Sequence, residues 1–227
     1  MLQTLGRNRG AADSSRLDFS ASEPSSEHAA PVILPLGSTH RQMMFFAVAT
    51  VGWLLCATSM GKAEWQVWHV DNPLFPSCLA RMGVWRVCIY RHDIRFPFCY
   101  LYTFHESFLP LDIRVAQKLL LVASLLGLLG RVSFIFALRN AHMGILQRNA
   151  IHVPFMASGI LYLAAGICTS ATVVWNYLSV MKEEGISFPP SFDLPFKPDT
   201  QEVGSASAMA LLGTFLLLLS GFSFLLY

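Results

Sequence analysis

Trp65, then Gly83-Val84-Trp85-Arg86-Val87-Cys88, then Cys99, is the stretch on which the reading of this chain turns. It follows the first long apolar segment and precedes the second. Two cysteines this close on an oxidising face can close a short disulfide. Such a bond staples a small β-structure that could not bury enough core to hold itself. Trp65 and Trp85 supply apolar mass to pack against it. The stretch predicts a small membrane protein whose business is in its outer loops.

The composition agrees. Of the 227 residues, 54% are hydrophobic and 13% charged, where a soluble globular domain carries about 25% charged residues. This length allows one compact unit. The net charge of +2 comes with no basic run, which argues against nucleic acid and the concentrated basic face it requires.

A helix needs about 20 mainly apolar residues to cross a bilayer. Four segments qualify: 43–60, 115–138, 153–180 and 206–227. Arg131 interrupts the second, close enough to the predicted cytoplasmic end to snorkel to it. The third runs longer than a bilayer requires. Lys and Arg in the short loops set orientation. Arg41 abuts the first segment, and Arg139 and Arg148 follow the second with no acid between them. The connection after the third carries Lys182 and Lys197 against Glu183, Glu184, Asp193, Asp199 and Glu202. Both termini are therefore expected in the cytoplasm, with outer loops 61–114 and 182–205. This placement does not use the cysteines.

Residues 1–40 are rich in Ser, Ala and charge and have no apolar h-region, so they are not a signal peptide. Such a segment cannot bury enough surface to order itself. It reads as a disordered cytoplasmic tail preceding a membrane domain over 41–227.

The first outer loop holds three runs of β-favouring residues: 65–70, 84–90 and 98–102. Asp71-Asn72-Pro73 and Phe96-Pro97 punctuate them. A small antiparallel sheet on the outer end of a helix bundle is expected. Cys88 and Cys99 fall in neighbouring runs, where a strand-to-strand disulfide is possible. Cys56 and Cys168 lie within helices as small hydrophobes. The state of Cys78 is open: a free thiol, a competing partner, or a bridge to another chain.

These residues resemble the claudin family, as a divergent member. Gly83-Val84-Trp85 matches its Gly-Leu-Trp core with Val for Leu. Trp65 matches the lone upstream tryptophan, and Cys88 and Cys99 match the paired cysteines at a slightly looser spacing. Gly52-Trp53 resembles the Gly-Trp step of the first helix. Phe192-Asp193-Leu194-Pro195 resembles the aromatic-x-x-Pro turn of the second outer loop, with Phe188-Pro189-Pro190 competing for that role. Glu202-Val203-Gly204 resembles the Glu-Leu-Gly that leads into the fourth helix.

The resemblance implies a mainly α fold, a four-helix transmembrane bundle with a small extracellular antiparallel β-sheet. It implies a multi-pass plasma-membrane protein of tight junctions, in contact with lipid and using no cofactor. Copies would associate with each other and with other claudins, in cis and in trans, to seal or selectively permeate the paracellular space. Trp65, Gly83, Val84, Trp85, Cys88 and Cys99 would hold the sheet. Phe188, Pro189, Phe192 and Pro195 would meet the neighbouring cell. Gly127, Gly130, Gly159 and Gly166 would let helices approach closely.

Two departures stand out. Gln117 occupies the place of a family arginine, and Arg114 and Lys118 are near enough to substitute. The sequence also ends at Phe224-Leu225-Leu226-Tyr227, inside the fourth helix. A PDZ groove takes a free, extended C-terminus, so no PDZ scaffold is expected.

Arg81, Arg86, Arg91 and Arg95 stand against Asp93 alone in the motif region. In claudins, first-loop charges line the paracellular path. A basic rim there would favour anions; a solvated face unconnected to any pore is the competing reading. His69, His92 and His105 fit no zinc spacing. No Cys-x-x-Cys, phosphate loop, His-Glu helix motif or Gly-x-Ser-x-Gly is present, so no catalysis is expected. The alternative is a tetraspan auxiliary subunit that modulates a partner channel or receptor, since such proteins share the Gly-Leu-Trp and Cys signature.

Overall fold

The computed structural model describes residues 36–71, 77–92, 96–104, 106–143 and 148–226. The described residues belong to one unit. Residues 1–35, which carry most of the expected tail, lie outside them, as do Asn72, Pro73, Asp93, Arg95 and His105.

Among the described residues, four helices are long and apolar enough to cross a membrane. They are α1 (Leu36–Gly61), α2 (Leu111–His142), α3 (Arg148–Met181) and α4 (Ser205–Leu225). The apolar runs locate all four, but their ends differ from the sequence expectation. Helix α1 begins at Leu36, so residues 36–40 are its first turn and not the end of a tail. At 32 and 34 residues, α2 and α3 are about 48 and 51 Å long, well beyond a hydrocarbon core of about 30 Å. Polar residues at their ends continue the helices past the apolar runs.

Helix α3 contains Pro154. Proline has no N–H, so it leaves the carbonyl four residues earlier without its helical donor. That carbonyl belongs to Ala150, and Asn140 Nδ2 of α2 donates to it at 3.0 Å. A buried amide on one helix thus completes the backbone of its neighbour. Asn140→Ala should cost about 1–3 kcal/mol, the penalty of an orphaned buried acceptor. In a Pro154→Ala background, where the N–H returns, the same change should cost much less. Thermal unfolding of the four variants in detergent reads this coupling.

Small residues set the bundle spacing. A Cβ on Gly52 of α1 would lie 2.9 Å from the Gly213 carbonyl oxygen of α4, and one on Gly159 of α3 would lie 3.1 Å from that of Gly221 of α4. Gly127 makes room for the Trp53 ring and Gly130 for Tyr162. Trp53 Nε1 donates to the Ser124 carbonyl at 2.9 Å. The Arg131 guanidinium sits 4.8 Å from the Trp53 ring centroid, so the charge in the second span is packed on an aromatic face.

Between α1 and α2 lie β1 (Gln66–Val70), β2 (Cys78–Met82), β3 (Arg86–Arg91) and β4 (Phe98–Leu101); a 3-10 turn (Pro190–Phe192) and β5 (Thr200–Val203) lie between α3 and α4. The strands form one antiparallel sheet of order β4-β3-β2-β1-β5. Both interhelical segments on this side therefore build the same sheet. Strands β2 and β5 have no β-rich signature, and the sequence expectation missed both. They form because β1 offers two unpaired edges. Trp68, Val70, Ala80, Met82, Val87 and Ile89 face one buried core, closed by Ile186 and Phe192 of the second segment.

Candidate functional site

The site is this sheet and its seat on the bundle. Cys88 of β3 lies directly opposite Cys99 of β4 in the strand register, and the two form a disulfide.

Trp65 joins four elements. Its indole Nε1 donates to the Ser59 carbonyl of α1 at 2.9 Å. Its backbone N–H donates to Met82 at 2.8 Å, and its carbonyl accepts from Gly204 at 2.9 Å. The same carbonyl accepts from Asn176 Nδ2 of α3 at 3.2 Å. Gly83 donates to the Arg86 carbonyl at 2.8 Å and passes so close to α1's end that a Cβ would lie 2.7 Å from Ala63 Cα. Only glycine fits that approach. Trp85 is half-buried and meets Phe104 edge-on at 5.1 Å.

Val84 is buried, and its carbonyl accepts from Gln117 Nε2 at 2.9 Å. Gln117 is itself fully buried. So the glutamine at the family's arginine position ties α2 to the motif loop directly. Arg114 and Lys118 do not take that place: Arg114 caps the Leu109 carbonyl, and Lys118 is exposed. Beneath Gly83 and Val84, a cavity of about 20 Å³ is lined also by Asp112 and Asn176, room for about one water.

The arginines are not a uniform rim. Arg81 pairs with Glu64 at 2.6 Å and lies 5.0 Å from the Tyr90 ring centroid. Arg91 pairs with Asp193 at 3.2 Å and donates to the Phe192 carbonyl. Arg86 is exposed and donates to Gly61's carbonyl at 2.9 Å. Asp93 and Arg95 fall outside the described residues. These partners lie far along the chain, so sequence spacing could not reveal them.

Glu64 also accepts from Ser205 at the start of α4. That hydrogen bond, with the charges of Arg81 and Lys62, holds its carboxyl below the usual carboxylate range. The depressed value fixes the sign of the pH effect. Glu64's contribution is fully present above its ordinary value and is lost as pH falls through the depressed one. Thermal stability should drop over that acidic window, and Glu64→Gln should remove the Glu64 share of the drop.

The second segment is placed differently from expectation. Phe192 is buried, and Phe188 is half-buried. Phe188 meets Trp68 edge-on at 5.8 Å, and Phe192 meets Tyr100 at 5.3 Å. Both rings face the protein's own core. The exposed residues of this turn are Pro190, Ser191 and Asp193, with Pro189 and Pro195 half-buried. Cys78 is a buried thiol in the sheet core, and burial raises its pKa.

The free edges of the sheet are β4 and β5. Strand β4 is the apolar one: Phe98 is 57% exposed and Leu101 is 70% exposed, with Phe96 just before the strand at 79%. An exposed apolar edge is a template for pairing with another chain.

Four membrane-length helices capped by a disulfide-bonded sheet define a tetraspan membrane protein. A family model described as PMP-22/EMP/MP20/Claudin tight junction matches residues 43–226, and the chain belongs to the claudin family. It is 29% identical to human claudin-18 over 139 residues, 61% of this chain and 52% of that protein. It is 29% identical to mouse claudin-19 over 178 residues, 76% and 77% of the two chains. Mouse claudin-6 is 24% identical over 149 residues, 65% and 67% of the two. The chain thus spans about half the length of the claudin-18 proteins it matches.

Proposed function

We propose that this chain is a cell–cell adhesion protein of the tight junction that forms or modulates a paracellular barrier. The sheet faces outward and both termini are cytoplasmic, following the Lys and Arg of the loops. The observation that carries the reading is the disulfide-stapled sheet with its apolar β4 edge open. Such an edge suits side-by-side association with a second copy or another claudin. Contact with the opposing cell falls to the exposed Pro190, Ser191 and Asp193, flanked by Pro189 and Pro195, while Phe188 and Phe192 hold the turn in shape.

With Arg81 and Arg91 paired, Arg86 is the described arginine of this group that has no carboxylate partner among the described residues. Any anion preference is therefore mild. Cation-selective dilution potentials would overturn it.

Expression in fibroblasts that lack junctions tests the reading. Enrichment at cell contacts with intramembrane strands in freeze-fracture is the expected result. Phe98→Lys should reach the surface but lose most of that enrichment. Uniform surface staining of the wild type would favour the auxiliary-subunit alternative.

A further inference from the structure

We propose that the sheet-side half of α3 carries a seat for one zwitterionic phospholipid with a phosphocholine headgroup. A groove of about 580 Å³ runs there, lined by Ile167, Ala171, Val174, Trp175, Leu178 and Lys182, with Glu184 at its mouth. This volume is that of a small-molecule site, about 300–1,000 Å³.

The residues Ile167, Ala171, Val174, Leu178 and Lys182 recur at three- and four-residue steps, so they lie on one helix face. The fifteen steps from Ile167 to Lys182 rise about 22 Å at helical pitch. One leaflet with its headgroups is about 20–22 Å deep, half of a bilayer of 40–45 Å. The groove is thus one lipid long. Its floor is low at Ser170 and Ala171, and the Ser170 hydroxyl donates to the Ile167 carbonyl at 2.8 Å. That bond satisfies the hydroxyl within the helix and leaves a surface suited to an acyl chain.

The open end is charged. Lys182 follows the last residue of α3 and is exposed, and no described carboxylate forms an ion pair with it. Glu183 adopts a left-handed conformation, φ 51°, which turns the chain so that Glu184 joins the rim. The Lys182 ammonium donates to a lipid phosphate. The Glu184 carboxylate, which lies 3.5 Å from the Ser179 hydroxyl of the same groove, suits the choline cation and disfavours a headgroup of net negative charge. A sterol, with one hydroxyl, offers Lys182 no phosphate. Trp175 is 42% exposed and lies about 10 Å below Lys182 along the helix, at the depth where interfacial tryptophans gather.

The lipid's source, the outer leaflet, rests on the orientation proposed above; the seat itself does not. Full-length protein purified in mild detergent is mixed with phosphatidylcholine, phosphatidylglycerol or cholesterol. Native mass spectrometry counts retained molecules, and thermal unfolding reads stability. The expected result is one phosphatidylcholine per chain and a raised melting temperature. Ala171→Trp, on the exposed face of α3, should fill the groove and cut retention about tenfold with unchanged melting in lipid-free detergent; Lys182→Glu should do the same. Equal retention by Ala171→Trp, stronger retention of phosphatidylglycerol or cholesterol, or a lipid-free dimer that Ala171→Trp disrupts would each overturn the proposal. Strand formation is not read here, so phosphatidylcholine retention in a chain that forms no strands would leave the seat standing and remove only the junction reading.

Discussion

Replacing Cys88 and Cys99 together by alanine should lower stability by about 2–5 kcal/mol, the usual cost of losing a native disulfide from a small domain. The expectation follows from how β4 is held. It is four residues long, pairs on one side with β3 alone, and is mostly exposed. It has little burial of its own to hold it once the bond is gone. The closed loop, with a sequence separation of 11, predicts about 3 kcal/mol from unfolded-state entropy. The loss should be local: β4 and the edge it presents come free, while the four helices stay formed. Thermal unfolding followed by tryptophan fluorescence should show an earlier transition, and far-ultraviolet circular dichroism should keep its helical signal. Cys78→Ala should leave the β3–β4 staple in place, because Cys78 is a free thiol in the core and pairs in register with Val70 and Arg91. If oxidised wild type and the double alanine variant melt together, the bond does not hold the sheet.

The parts of this fold that sequence could show were those written in local pattern. The four spans are unbroken apolar runs, and the Trp, Gly-Val-Trp and paired-Cys stretch has a spacing few other arrangements produce. What it could not show depends on partners far along the chain. Arg81 finds Glu64 seventeen residues away and Arg91 finds Asp193 across 102. Strand β5 reads Thr-Gln-Glu-Val and is a strand only because β1 presents an edge to it. The role of Gln117 is hidden for the opposite reason: the resemblance points to a positive charge, and the position needs only a donor that reaches Val84's carbonyl. The resemblance to the aromatic-x-x-Pro turn implies contact with another cell for Phe188 and Phe192, and only the tertiary structure shows both rings packed against the sheet core.

That inward turn makes Trp68 the residue whose loss should be felt most widely. It lies in the 65–70 run, where the sequence pattern does not set it apart from Trp65. In the structure it is fully buried, opposite Ala80 on β2 and Gln201 on β5. A small neighbour on one side leaves the indole to fill the core, and Phe188 closes over it edge-on. Trp68→Ala should cost about 3–5 kcal/mol, the range for truncating a buried tryptophan. Trp68→Phe should cost far less. It keeps an aromatic against Phe188, worth about 0.5–1.5 kcal/mol beyond area, and it removes an indole N–H that has no hydrogen-bond partner in the core. The damage from alanine should also cross between segments. With Trp68 gone, Phe188 and Phe192 lose part of the surface that holds the second turn, so amides over 186–196 should exchange faster with solvent than in wild type. Faster exchange confined to β1 and its neighbours, with 186–196 unchanged, would mean that the turn is held by its own contacts to β4 and not by the tryptophan. The contact surface proposed for the opposing cell would then be independent of the sheet core beneath it.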